Sequence, residues 1–454
     1  MHPPAPNARH DLLIARRNLK MATSPHAYVR GNTVQYYEWL HSQRGHALPH
    51  GPPVWICGDC HLGNLGPIGA ADGDVELAIR DLDQTTVGNP AHDLVRLALS
   101  LAMAARGSSL PGVVTAHMLE HMMQGYEQAF ISGPHEPHKR PEAVRWVMRK
   151  AVQRNWTHLA SDRLAGKQPS IPLGKKFWPL SADEKKAITV LFKNPDVLTL
   201  VTTLKSRDDD APVQLLDAAY WVKGCSSLGL MRYAALLSVG EGDEREHCLI
   251  DIKQAVKAAA PRHNHAHIPR DNAHRVVAGA RALSPALGER MIAQRFLDHG
   301  VFLRELLPQD LKLDIDELTL DDSKKAAHYL AYIVGQAHAR QMDDATRDVI
   351  TAAPSPPPPG SGKASSSSSP ATKRGILSIA GNMRWTGRGR RQQRQVSAPV
   401  QKSQAVPSPF GRGAGVRGRA CITNGGIFEA GRRTRSRRVR CARVPARASL
   451  RPIF

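Results

Sequence analysis

The chain is short of several things, and each shortage excludes a class. Its cysteines are few: Cys57, Cys60, Cys225, Cys248, Cys421 and Cys441 are spread over 454 residues, which rules out a disulfide scaffold. The first 17 residues are polar and rich in Arg, His and Pro, without the apolar core of a signal peptide. No apolar run approaches the ~20 residues of a membrane span. The most apolar stretch, residues 94–105, is interrupted by Arg96. A soluble, cytoplasmic protein without a membrane partner is therefore expected. Acidic residues are nearly missing from the end of the chain. From Thr346 to Phe454 there are 22 Lys and Arg but only 2 Asp and Glu, leaving 40 basic and 38 acidic residues before them. The overall charge of +22 and the pI near 10.1 thus belong to the tail and do not mark the rest as a nucleic-acid binder.

What is present divides the chain in two. Residues 1–345 have an ordinary globular composition. Residues 346–454 are Pro/Ser-rich, then Arg/Gly-rich, a composition expected to be disordered. Nucleic acid is a partner only through this tail, as a basic arm. Its lack of periodicity fits GC-rich DNA translated in an unintended frame better. Within 1–345, residues 10–210 are mainly helical in pattern. Residues 10–45 read as helix with a break at Ser24-Pro25, and further helices are expected over 93–106, 113–130, 142–164 and 185–193, the last opened by a Ser181…Glu184 capping box. Short strands are expected at 54–57 and 75–79. Residues 211–310 change character. They show strands at 218–222, 231–239 and 247–253, with a small-residue turn, Lys223-Gly224-Cys225-Ser226-Ser227-Leu228-Gly229, between the first two. Helices are expected at 271–283 and 286–298, then a short apolar connector or strand at 301–306. Residues 311–345 hold a helix over 323–340, with Ala327, Leu330, Ala331, Val334 and Ala337 on one face.

The densest motif is residues 57–66, Cys-Gly-Asp-Cys-His-Leu-Gly-Asn-Leu-Gly. It sets Asp59 five residues before Asn64, directly after an apolar strand. Asp81 and Asp83 follow the second short strand, and Asp93 opens a helix. Phosphoryl transfer from a nucleotide needs such a set: a carboxylate to orient or deprotonate the attacking hydroxyl, and an amide oxygen with a second carboxylate for metal ions that neutralise the phosphates. It also needs a covering loop and a lysine. The turn 224–229 can approach phosphates without a Cβ in the way, and Lys253 lies near the end of the third strand.

These motifs resemble the protein-kinase-like superfamily, in the flavour of the aminoglycoside and choline phosphotransferases, with Gly-Asp-x-His-x-x-Asn, an Asp-Phe-Asp-like segment and a Gly-Pro…Asp-Leu helix start. The resemblance implies an α+β, two-lobed fold and assigns roles. Asp59 is the catalytic base, and Asn64 and Asp81 are the magnesium ligands. Asp93 braces the loop and His61 shapes it, while Asp83 is either a helper at the metal or a solvated carboxylate. Gly224, Ser226, Ser227, Gly229 and Lys253 hold the phosphates of ATP, and residues 302–307 form the hinge that meets adenine. The glycine turn and lysine follow the acidic motifs here instead of preceding them, which implies a circular permutation. Residues near 340 should then approach the strand entering at Val54, and Lys253 should face Asp81.

Residues 17–341 are also similar to a bacterial family known as domain of unknown function 2252, through Met21-Ala-Thr-Ser-Pro25, Arg30-Gly31, the 57–66 motif, Lys176-Phe-Trp-Pro-Leu180, the 224–229 loop, Arg304-Glu-Leu and Ala337-His-Ala-Arg340. That family has Lys-Glu where this chain has Lys253-Gln254, and its pattern continues with more helices where this chain enters its basic tail. The expected activity is ATP- and magnesium-dependent phosphotransfer to a small-molecule or peptide hydroxyl. Nucleotidyl transfer, or nucleotide binding without turnover, are the alternatives. Cys57-x-x-Cys60 has the spacing of a zinc or redox site, but no second ligand pair is evident. Small residues beside the loop explain it better. His263, His265 and His267 read as a solvated loop.

Overall fold

The computed structural model describes residues 4–42, 48, 51–107, 112–131, 140–156, 169–242, 245–311 and 320–351. It is a mixed α+β protein built around one six-stranded antiparallel sheet, β5 (Phe177–Trp178), β6 (Val213–Trp221), β7 (Arg232–Val239), β8 (Glu246–Gln254), β9 (Met291–Phe296) and β10 (His299–Glu305), in the order β5-β6-β7-β8-β10-β9. Two short ribbons precede it: β1 (Val54–Ile56) with β4 (Thr86–Gly88), and the hairpin of β2 (Leu65–Gly69) with β3 (Val75–Ile79).

Alternation along the strands gives the sheet two different faces. Tyr233, Ala235, Leu237, Ile250, Ile252, Val301 and Leu303 point one way into an apolar cluster, closed by Ile188, Leu191, Val197 and Leu200 of the helices Ala182–Leu191 and Pro195–Thr202 and by Leu13 of the helix Pro6–Met21. These segments carry the helical signal of the 10–210 region, yet they pack on the sheet. The starts of the two helices after residue 180 are capped. Ser181 and Glu184 form the expected capping box, and Asn194 caps the next helix, each cap contributing ~1 kcal/mol. The other face is apolar at Ala234, Leu236, Leu249 and Leu306. Towards one end it turns charged, with Arg232 paired opposite Lys253, and Arg304 opposite Asp251.

The second half of the core is helical. The helices Ala91–Gly107, Gly112–Ile131 and Leu320–Ala339 pack with the β1–β4 and β2–β3 ribbons around one cluster. The predicted faces are buried: Leu94, Leu97, Ala98, Leu101 and Ala105 on the first, and Ala327, Leu330, Ala331, Val334 and Ala337 on the last. Each large apolar side chain buried there contributes roughly 1.5–3 kcal/mol.

Four expectations need correction or limits. Residues 286–298 are not a helix. A single turn, Pro285–Gly288, gives way to β9, because Leu297 and Asp298 adopt φ of 47° and 64° and fold β9 back onto β10 as a hairpin. The helix starting at Glu142 ends at Val152, and residues 157–164 of the predicted span lie outside the described residues. The helix Asp344–Thr351 crosses the predicted boundary at 345, and the remainder of the predicted disordered tail lies outside the described residues. Among the described residues, no helix is long and apolar enough to cross a membrane.

Candidate active site

The loop after β1 is positioned by side chains more than by regular structure. Gly58 has φ of +74°, and a Cβ there would sit 2.1 Å from the Gln84 carbonyl oxygen, so only glycine fits. Asp93, fully buried at the start of the helix Ala91–Gly107, accepts the Cys57 N–H at 2.7 Å and the Gly58 N–H at 2.9 Å. Behind it, His338 Nε2 lies 3.2 Å from the same carboxylate, and Tyr126 Oη meets His338 Nδ1 at 3.0 Å. Ser100, two turns along the helix, accepts the Leu62 N–H at 2.8 Å. Tyr37 donates to the Gly58 carbonyl at 2.8 Å, and Thr85 to the Ile56 carbonyl at 2.7 Å. Asn64 Nδ2 donates to the Asp59 backbone carbonyl at 3.0 Å, so Asp59 and Asn64 share one short closed loop.

Asp59 is buried, and Arg96 Nε donates to its Oδ1 at 2.9 Å. The same guanidinium donates to Asn32 Oδ1 at 2.8 Å and to the Val29 carbonyl. Arg96 therefore ties the loop to the segment after the helix Pro25–Val29. Burial raises the Asp59 carboxyl, while Arg96 opposes the rise. The other oxygen, Oδ2, faces His61 Nε2 at 3.9 Å. Burial first, then Arg96 and Arg30, hold the His61 imidazole well below its ordinary value, so it is neutral.

The second centre lies where the segment after β3 meets β8. Lys253 Nζ sits 3.5 Å from Asp81 Oδ1 and in direct contact with Asp83 Oδ2. Asp83, which the sequence left between a metal helper and a solvated carboxylate, is thus the closest acid to the lysine. Exposure separates the three: 42 % of the Asp81 side chain is open, against 17 % for Asp83 and 4 % for Lys253, so Asp81 is the most open of the three. Desolvation pulls Asp81 upward, but Lys253, a hydrogen bond with Asp83, and Arg304 and Arg232 hold it far below the usual carboxylate range. Desolvation and the Asp81 charge push Asp83 up to about 7. One carboxylate stays ionised while its neighbour holds a proton near neutrality. Arg232 donates to both oxygens of Asp251, which also accepts from Arg304, and Arg304 Nη1 reaches the Arg80 carbonyl at 2.9 Å. This charged end of the sheet is therefore locked onto the segment carrying Asp81.

The glycine turn between β6 and β7 has φ of +99° at Gly224 and +101° at Gly229. Ser226, Ser227 and Gly229 line a cavity of about 930 Å³ whose far wall includes Asp83, Gln84 and Tyr37. The loop thus faces the acid pair's segment across open space. Asp59 is not in that wall. The expected hinge, 302–307, runs from β10 into Leu306 and Leu307. Beside Lys253 and Phe302 the free space is only about 10 Å³, while a separate cavity of about 470 Å³ lies against residues 305–309 and the β2–β3 turn.

The loop's brace at Asp93 is where the sequence placed it. Arg96 and Arg232 were missed as site residues. Arg96 had a signal, a lone arginine inside the most apolar stretch. Arg232 had none, since its partner Asp251 is set by strand register. Cys57 and Cys60 are unbridged and lie fully buried in the apolar core. Contact with Cys60 and burial push the Cys57 thiol well above its usual range, which is not the environment of a reactive thiolate. Among the described residues no three His, Cys, Asp or Glu side chains are grouped to hold a metal.

No curated protein and no solved structure matches the chain. Residues 9–365 match a family described as an uncharacterized protein conserved in bacteria, DUF2252. That span reaches past the predicted boundary at 345 and covers most of the chain, so the protein belongs to the DUF2252 family.

Proposed function

We propose that the protein is a kinase-like phosphotransferase that moves a phosphoryl group from ATP to a hydroxyl acceptor. The observation that carries this reading is the meeting of Lys253 with Asp81 and Asp83, of which Asp83 shares a cavity with the glycine turn. Protein kinases place a lysine on the third sheet strand, after a glycine-rich hairpin, against a metal-binding aspartate. Here β6, β7 and β8 are the first three strands of that kind, with the turn 224–229 between the first two and Lys253 on the third. The helix Asn272–Leu283 crosses between β8 and β9. The permuted order is supported by Gln341, which accepts the Trp55 N–H at 2.8 Å and donates to the Trp55 carbonyl at 3.1 Å. The end of the helix Leu320–Ala339 thereby reaches the strand that leads to Asp59.

Magnesium usually keeps several waters and takes one or two carboxylates plus phosphate oxygens, and the partly open, ionised Asp81 beside Asp83 fits that demand. Asp81 and Asn64 would hold the ion, which would supply charge neutralisation at the phosphates. Lys253 and the backbone of 224–229 would orient the phosphate chain. Asp59 Oδ2, on the side away from Arg96, would accept the acceptor's proton. Burial raises this carboxyl, which makes its ionised form a stronger base than an ordinary surface carboxylate.

A second reading, nucleotide binding without turnover, draws on the Arg96–Asp59 bond, which occupies one oxygen of the base. The two separate in one assay. Magnesium-dependent release or transfer of the γ-phosphate is measured for the full chain, Asp81→Asn and Asp59→Asn, with melting curves alongside. The phosphotransferase reading expects losses of about a hundredfold or more in both variants. Equal rates in all three would sink it. Nucleotide-dependent stabilisation without any release in the parent chain would leave the second reading. Label appearing from the α- rather than the γ-phosphate would mean nucleotidyl transfer.

A further inference from the structure

The N-terminal segment brings cations to the cleft, and it belongs to neither acid motif nor to the sheet. Lys20, near the end of the helix Pro6–Met21, donates to the Gly224 carbonyl at 2.9 Å, so its ammonium is fixed on the glycine turn. Arg30 follows the helix Pro25–Val29 and lies between the two loops. A Cβ on the next residue, Gly31, would come within 3.1 Å of Cys225 Sγ in the glycine turn. A Cβ on Gly63 in the acid loop would come within 3.3 Å of both Arg30 Nε and His61 Nδ1. The Arg30 guanidinium therefore packs on the loop of Asp59, where Gly63 leaves room for it, while the residue after it sits against the glycine turn.

These groups are short of counter-charge. Arg17 Nε, Arg30 Nε and His61 Nδ1 are all buried without a hydrogen-bond partner, and His61 is 3 % exposed. Among the described residues, no carboxylate stands within ion-pair distance of Arg17, Lys20 or Arg30. Burial, opposed by Cys225 and reinforced by Arg30 and Arg16, lowers the Lys20 ammonium from its ordinary value. Gathering cations without acids costs free energy that a bound anion would recover. Arg17 also lines the 930 Å³ cavity beside Ser226 and Ser227, so this member of the cluster opens onto the space in front of the glycine turn.

We infer that Arg17, Lys20 and Arg30 of the N-terminal segment, with His61, form a clamp for an oligophosphate anion between the glycine turn and the acid loop. The clamp deepens the phosphotransfer reading and rests on it for its role, with the N-terminal segment neutralising phosphate charge that the lysine of the sheet does not reach. The binding itself requires no turnover. The phosphates could belong to a nucleotide or to a phosphorylated acceptor, and the shared chemistry is a chain of phosphate oxygens.

The test titrates inorganic tripolyphosphate, without metal and at low ionic strength, into the full chain and its Arg30→Gln, Arg17→Gln and Lys186→Gln variants. Lys186 is exposed on the helix Ala182–Leu191 and controls for overall charge. Tripolyphosphate should bind the parent, weaken about tenfold in Arg30→Gln and measurably in Arg17→Gln, and keep its affinity in Lys186→Gln. No binding by the parent, no change in Arg30→Gln, or an equal change in Lys186→Gln would overturn the clamp. Should Arg30→Gln fail to melt cooperatively, Arg30→Lys and Arg17→Gln decide the point by the same criterion. An ATP titration in parallel separates the sources: parallel weakening means the nucleotide's phosphates, and weakening for tripolyphosphate alone means a phosphorylated acceptor. A clamp that binds tripolyphosphate in a chain without γ-phosphate release would stand although the phosphotransferase reading had failed.

Discussion

The sheet around Lys253 and the loop around Asp59 are linked through the segment of Asp81, but they are held by opposite means. The sheet has long paired strands and apolar side chains on both faces, and its charged end is a minor part of a large packed structure. The loop has one turn of 3-10 helix, Leu62–Asn64, and otherwise depends on buried polar groups. Asp93, Arg96 and Ser100 all come from one helix and each satisfies part of it. A packed sheet spreads the cost of a single change over many contacts. A loop fixed by a few buried polar bonds concentrates it, because each bond removed leaves a donor or acceptor stranded away from water. The chemistry proposed here needs both: a rigid lysine and a loop whose acids hold position without a lattice of backbone bonds.

The sharpest way to break this comparison is Asp93→Ala. It strands two backbone N–H groups of the loop and the buried His338 behind them. The expected loss is about 3–5 kcal/mol, the range for removing one partner of a buried charged network. Chemical denaturation with a two-state fit measures it. A loss below about 1 kcal/mol would mean that water or backbone movement satisfies the loop without Asp93, and the contrast between loop and sheet would fall.

The same contrast explains what could be read before folding. The sheet was legible because its signals are local: β-like runs at 231–239 and 247–253, a glycine turn between strands, a capping box at Ser181. The apolar faces of the helices Ala91–Gly107 and Leu320–Ala339 were legible for the same reason. The second strand of the β9–β10 hairpin is legible in the sequence, but β9 reads as helix. Its 3.6-like spacing of apolar residues competed with a turn whose two residues, Leu297 and Asp298, give no glycine signal for their positive φ. Of the candidate site, Asp59, Asn64, Asp81 and Lys253 stood out by spacing. Arg30, Arg96 and Asp83 did not take their place until the chain was folded, because the partners of Arg96 and Asp83 are 37 to 170 residues away, and Arg30 lies between two loops. Buried ion pairs have no sequence period, so no window scan finds them.

A change in pH probes the border between the two regions, where Lys253 of the sheet meets Asp83. Asp83 is raised to about 7, so between the ordinary carboxylate range and neutrality the folded chain holds a proton that the unfolded chain has lost. By linkage the stability contribution of this group falls as pH rises through that window. Asp81, held low, has the opposite sign and acts only in stronger acid. Asp83→Asn keeps a neutral hydrogen-bonding group at all pH values. Its stability relative to the parent should therefore improve by about 1–3 kcal/mol between pH 5 and pH 8. Denaturation at the two pH values gives the difference, and a gap that stays constant or widens against the variant would show that Asp83 is ionised throughout.

The smallest effect is expected inside the sheet. Ile250 is fully buried on β8, paired with Ala235 of β7 and Glu305 of β10. Ile250→Val removes one methylene from a cluster with many other contacts, and should cost about 0.5–1.5 kcal/mol. Because its side chain points to the face opposite Asp251 and Lys253, the register that presents the lysine should not move, and tripolyphosphate affinity should match the parent. Both readouts bear on the comparison. A cost above that of Asp93→Ala would place the fragile part of the molecule in the sheet instead of the loop. A modest cost with altered anion affinity would mean that packing on the far face sets the position of Lys253, so that the sheet would not be the rigid partner in the cleft.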